Sequence, residues 1–135
     1  MTKNAPMPQD TLQDLNAKLL AFAREREWEQ FHSPKNLSMA LAGEAGELLE
    51  HFQWLSEEQS ADLPTGKKDQ VALEMADILI YLIRLAERLD IDLVGAAYRK
   101  IALNQARYPA EQVRGDARRA EEYDSPPVAP DETGG

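Results

Sequence analysis

The chain has no cysteine, which removes disulfide scaffolds, zinc fingers, thiol nucleophiles and Fe–S clusters. It is also short of positive charge: 15 Lys+Arg stand against 24 Asp+Glu, a formal charge of −9. A nucleic acid polymer or an anionic membrane calls for a broad basic surface, so neither is an expected partner. No run approaches the ~20 apolar residues that span a bilayer, and MTKNAPMPQD at the start holds no signal-peptide core. A cytoplasmic protein is expected. Of the two histidines only His32 has the Glu-x-x-His spacing, with Glu29; His51 has Leu48 three residues before it. A di-iron carboxylate bundle needs two such pairs, so that reading fails. Strand alternation, Gly-rich phosphate loops and nucleophile elbows are missing as well.

What is present is 135 residues, 43% hydrophobic, enough for a single globular domain. Residues 1–109 carry 17 acids and 12 bases, whereas 110–135 carry 7 acids and 3 bases together with three prolines and three glycines. So polar a segment cannot bury enough surface to offset its ordering entropy. The expected folded unit is 8–109, followed by a disordered acidic tail over 110–135.

Four helical segments are expected in that unit. Thr11-x-x-Asp14 is a capping-box-like start, with Leu12, Leu15, Leu19 and Phe22 following at helical spacing. Ser33-Pro34 opens a second helix, which the apolar series Leu37, Leu41, Leu48, Phe52 and Leu55 carries to residue 55. Ser56 to Gly66 reads as a loop with room for one helical turn. The third segment, Asp69 to Leu89, is apolar nearly all round, as in a helix buried in a bundle or sandwiched in an oligomer. The fourth runs from Asp92 to Tyr108 and stops at Pro109. The fold class is all-α, a four-helix-type bundle, and oligomeric.

Four acids sit where acids are costly. On the second helix Glu44, Glu47, His51 and Trp54 fall within about 80° of one another at 100° per residue, beside the Leu41/Leu48/Phe52 stripe. On the third, Glu74 and Asp77 are three apart, and Asp77 opens the run Ile78-Leu79-Ile80-Tyr81-Leu82-Ile83. A carboxylate in such surroundings must be protonated, paired or bound to metal. The nearby bases, Arg84 and Arg88, are outnumbered. Oxygen-only ligands favour a hard cation, Mg²⁺ or Mn²⁺. The plainer alternative, surface acids and an ordinary salt-bridge partner, stays open on spacing alone.

Glu44-Ala-Gly-Glu47, a 26-residue gap and Glu74-Met-Ala-Asp77 together resemble the E-x-x-E…E-x-x-D signature of the all-α nucleotide pyrophosphohydrolases related to MazG. Further blocks are similar to the dCTP pyrophosphatase branch: Trp28-Glu-Gln-Phe-His-Ser-Pro-Lys-Asn36, Phe52-Gln-Trp54, Asp77-Ile-Leu-Ile-Tyr81 and Arg107-Tyr-Pro109. The resemblance covers roughly residues 10–110. It implies Mg²⁺-dependent conversion of a (d)NTP, first of all dCTP, to the monophosphate and pyrophosphate by a homodimer or homotetramer. It makes Glu44, Glu47, Glu74 and Asp77 metal ligands, with Glu44 or Glu47 as the alternative general base. It places Trp28, Phe31, His32, Trp54 and Tyr81 around the nucleoside.

Lys100, Asn104 and Arg107 share one face of the fourth helix within about 60°. The resemblance gives Lys100 and Asn104 to the phosphates; a solvated face is the plain alternative. Both tryptophans also have a core reading. A non-catalytic helical oligomerisation or interaction protein remains the rival function. It accounts for the apolar third helix and leaves four converging acids unexplained.

Overall fold

The computed structural model describes residues 11–117. Chain contacts divide the protein into two compact units, Met1–Leu93 and Val94–Gly135. The described residues form helices and turns with no strand, so the all-helical expectation holds. None of the helices in this span is long and apolar enough to cross a membrane.

The first unit is built from α1 (Leu12–Glu25), α2 (Pro34–Glu50), α3 (Glu57–Ala61) and α4 (Thr65–Arg88). Both expected caps form. Thr11 Oγ1 accepts from Asp14 N and Ser33 Oγ from Asn36 N, each at 3.1 Å, and Pro34 occupies the first turn, where no N–H is needed. α2 packs along α4, and α1 also rests on α4. The buried apolar centre is Ala23 of α1, Leu37 of α2, and Val71, Ile83 and Ala86 of α4.

Two helix ends depart from the periodicity. α2 stops at Glu50, not at residue 55. Beyond it Phe52 N and Gln53 N both donate to Leu49 O, closing a turn, and Ser56 starts a new helix. Ser56 Oγ accepts from Gln59 N at 3.1 Å while Gln59 Oε1 accepts from Ser56 N at 2.9 Å, a reciprocal capping box. That local cap outcompetes the apolar pattern of Phe52 and Leu55, which had no bearing on backbone hydrogen bonds. α4 begins at Thr65, four residues before the expected start, because Lys68 N reaches Pro64 O at 2.8 Å and closes the first turn.

α1 and α4 end alike. Among the described residues, Glu27 and Asp90 are the two non-glycine ones with positive φ, at 55° and 54°. Trp28 N donates to Ala23 O at 2.8 Å and Glu27 N to Arg24 O at 3.1 Å; Ile91 to Ala86 and Asp90 to Glu87 repeat the pattern. These paired bonds are Schellman endings, which turn the chain sharply off the helix axis.

Leu73, Met75 and Leu79 of α4 are exposed, so the apolar surface expected on every side of this helix is only partly covered within the chain. The second unit holds α6 (Ala110–Val113) and all but the first residue of α5 (Leu93–Arg107). α5 has no buried residue and exposes Val94, Tyr98, Ile101 and Leu103. Pro109 precedes α6, whose first turn closes with Gln112 N on Pro109 O at 2.9 Å. The expected acidic tail thus opens with a helical turn, and its residues 118–135 lie outside the described ones.

Candidate functional site

The i,i+3 acid pair of α4 and Glu44 of α2 meet across the α2–α4 contact. Ligand oxygens of Glu44, Glu74 and Asp77 all lie within 4.8 Å of one another. Oε2 of Glu44 and Oε2 of Glu74 are buried and accept no hydrogen bond. Burial of its carboxyl, then hydrogen bonding and charge from Glu47, then the charge of Asp77, push the Glu44 pKa up to about 7. Three like-charged groups this close repel unless a proton or a cation lies among them.

The donor set fits a hard divalent cation. It is all oxygen, drawn from two rigid helices, and two of its buried oxygens lack any other partner. Three of the four expected ligands are therefore brought together. Glu47, the fourth, is exposed at the edge, where it helps to raise the Glu44 pKa. His51 Nε2 stands 3.7 Å from Glu74 Oε1, so this histidine borders the cluster.

Asp77 also borders a cavity of about 270 Å³, whose walls include Trp28, His32, Tyr81 and Arg84. The spacing explains the shared wall: Asp77, Tyr81 and Arg84 at i, i+4 and i+7 point from one face of α4. The opposite wall comes from Leu19, Phe22 and Ala23 of α1. The Schellman ending of α1 swings Trp28 back onto Phe22, edge to face, with ring centroids 5.7 Å apart and planes at 73°. The Arg26 guanidinium covers the Phe22 ring at 3.5 Å, and its Nη1 donates to Phe22 O. A short 3₁₀ turn, Glu29–Phe31, then delivers His32. Asn36 gives its side-chain amide to Phe31 O at 3.1 Å and so pins that turn.

Among the described residues, Arg84 is the buried charged one, 2% exposed. Its Nη1 meets Glu87 Oε2 at 3.1 Å and its Nη2 lies 3.4 Å from His32 Nδ1; Nε is buried without a partner. Burial, then the charges of Arg84 and Arg88, hold the His32 pKa below its usual 6.5.

Of the aromatic residues expected around a nucleoside, Trp28, His32 and Tyr81 line the cavity. Phe31 and Trp54 do not; they are 60% and 86% exposed. Trp54 lies four residues beyond the end of α2. Lys100 and Asn104 are exposed on α5, in the second unit. Sequence reasoning missed Phe22 and Arg84 as cavity walls. The signal for Arg84 was there: a guanidinium inside Ile83-Arg84-Leu85-Ala86 with an acid three residues on.

The MazG-like family model matches residues 40–122. Proteins named dCTP pyrophosphatase 1 from Rattus norvegicus and Mus musculus are each 46% identical over 112 residues, 82% of this chain and 66% of theirs. The Homo sapiens protein of that name is 40% identical over 130 residues, 95% of this chain and 76% of its own. The chain thus spans about two thirds of the length of its rodent relatives. A pyrophosphatase from Archaeoglobus fulgidus DSM 4304 superposes with a TM-score of 0.69 at 36% identity, over 73% of this chain and 92% of that one. The chain belongs to the MazG-like family.

Proposed function

We propose that this protein is a divalent-metal-dependent nucleoside triphosphate pyrophosphohydrolase whose first substrate is dCTP, converted to dCMP and pyrophosphate. One observation carries the reading: Asp77 belongs both to the acid cluster and to the wall of the aromatic cavity. A triphosphate on a base held in the cavity would run toward the carboxylates. A triphosphate bears about four negative charges, and a chain of net −9 can hold it there only through an intervening cation. The likeness to proteins named dCTP pyrophosphatase 1 supports the choice of base.

In this reading Glu44, Glu74 and Asp77 hold the ion, for which Mg²⁺ is the proposal and Mn²⁺ the substitute. The chemistry such an ion supplies when bound is neutralisation of phosphate charge and a lowered pKa for water. Water attacks the α-phosphorus, the α–β anhydride bond breaks, and pyrophosphate leaves with the bridging oxygen. Glu47, at the solvent edge of the cluster, takes the proton of the attacking water. Trp28 and Tyr81 flank the base, and His32 meets its edge. The role of Lys100 and Asn104 toward phosphate rests on the family resemblance; loss of affinity common to every nucleotide in Lys100→Met would support it.

The direct test is pyrophosphate release from the common (d)NTPs with Mg²⁺ and with EDTA. Release from dCTP above the other substrates, abolished by EDTA and by Glu74→Gln, is expected. Full activity in EDTA, or equal rates on all nucleotides, would overturn the metal assignment or the base assignment respectively.

A further inference from the structure

His32 enters the cavity with one ring nitrogen already engaged. Its Nδ1 lies 3.4 Å from Nη2 of Arg84. A guanidinium has five N–H donors and no acceptor, and it does not lose its proton in proteins. The contact therefore works in one direction only: Arg84 donates, and Nδ1 must carry the lone pair. A proton on Nδ1 would set N–H against N–H. Arg84 cannot turn away, because it is 2% exposed and its other terminal nitrogen is tied to Glu87 at 3.1 Å.

We infer that Arg84 is a positioning residue that locks His32 as the Nε2–H tautomer, so that the cavity presents a hydrogen-bond donor to a base whose ring nitrogen accepts. This rests on the reading of the cavity as a nucleobase site. Cytosine carries an acceptor at N3; thymine and uracil carry N3–H there, which would face the Nε2–H and leave both donors unpaired. Stacking between Trp28 and Tyr81 holds either pyrimidine equally, so the tautomer of His32 separates bases of the same size. Burial and the charge of Arg84 both disfavour imidazolium, which keeps the ring neutral and the tautomer defined.

The first measurement needs no nucleotide. In full-length protein with ¹⁵N-labelled histidine, the two rings are told apart with His51→Asn. His32 is expected to show an acceptor-type Nδ1 and an N–H-type Nε2. That pattern should be lost in Arg84→Met and retained in Arg84→Lys, which keeps a donor. A proton on Nδ1 in the unmodified protein overturns the inference, and so does an unchanged tautomer in Arg84→Met. Should Arg84→Met fail to fold, the unmodified protein and Arg84→Lys still decide it. The second measurement is the ratio of kcat/KM for dCTP over dTTP, expected to fall about tenfold in Arg84→Met and to recover in Arg84→Lys. A lost tautomer with an unchanged ratio overturns the role of His32 in choosing the base. No hydrolysis of any nucleotide, with the tautomer as expected, defeats the enzymatic reading and leaves the Arg84–His32 pair standing.

Discussion

α4 carries buried charge in two places about two turns apart, and the two are treated in opposite ways. Arg84 is fully enclosed, yet Glu87 and His32 meet both of its terminal nitrogens. Glu74 and Asp77 are less enclosed, yet they gather with another acid, Glu44; His51 approaches one oxygen of Glu74 at 3.7 Å, and Oε2 of both Glu44 and Glu74 is buried without a hydrogen bond. Burying a charge beside a partner is tolerable; burying several of one sign is not, unless something from outside joins them. Internal partners mark the arginine end as structure that positions. The two buried carboxylate oxygens without donors mark the place that receives a ligand.

If that contrast is right, its largest consequence is in turnover. Asp77→Asn or Glu74→Gln should lower kcat for pyrophosphate release by about a thousandfold, the upper range for loss of one electrostatic group at a reacting centre. The same variants should leave metal-free thermal stability unchanged or raised, because each removes one of the repelling charges. A large loss of stability would make the acids structural and erase the contrast. Arg84→Met should do the reverse, costing about 2 kcal/mol in urea unfolding, as hydrogen bonds to charged groups do. Trp28→Ala comes next: it should raise KM for all nucleotides roughly tenfold, within the range for one lost base–aromatic stack.

The smallest effect is on the pH dependence of the metal-free protein. Glu44 has a folded pKa of about 7, raised from 4.5. Between those values the folded chain binds more protons than the unfolded one, so this group makes stability fall as pH rises through the window. In EDTA, thermal midpoints from pH 5 to pH 8 should show that slope, and Glu44→Gln should flatten it. Mg²⁺ at pH 8 should restore stability by binding the folded state alone. An identical slope in Glu44→Gln would place the titrating group elsewhere.

Local chemistry was legible where a few neighbouring residues settle the backbone. Thr11 and Ser33 cap helices as their types and spacing say, and the four long helices stand over the segments their apolar periods mark, save at the end of α2 and the start of α4. The i,i+3 acids were legible as an anomaly, since no surface helix needs Glu74 and Asp77 at the mouth of an apolar run. The wheel failed where it was carried across a boundary. It placed Trp54 beside Glu44 by assuming four more helical residues than exist, because hydrophobic spacing does not record a capping box at Ser56.

By itself, then, the sequence determined the helical class, the helix starts and the four acids that must find a cation or a proton. Those follow from interactions within a turn or two, which sequence distance measures. Only the tertiary structure decided that Glu44 of α2 closes on Glu74 and Asp77 while Glu47 stays at the rim. It alone brought Trp28, by way of a left-handed Glu27, into a cavity shared with Asp77, and it alone set Arg84 against a histidine 52 residues away. Such contacts depend on how α1 and α2 lie on α4. Helix packing fixes that by volume and shape, quantities that no single stretch of sequence contains.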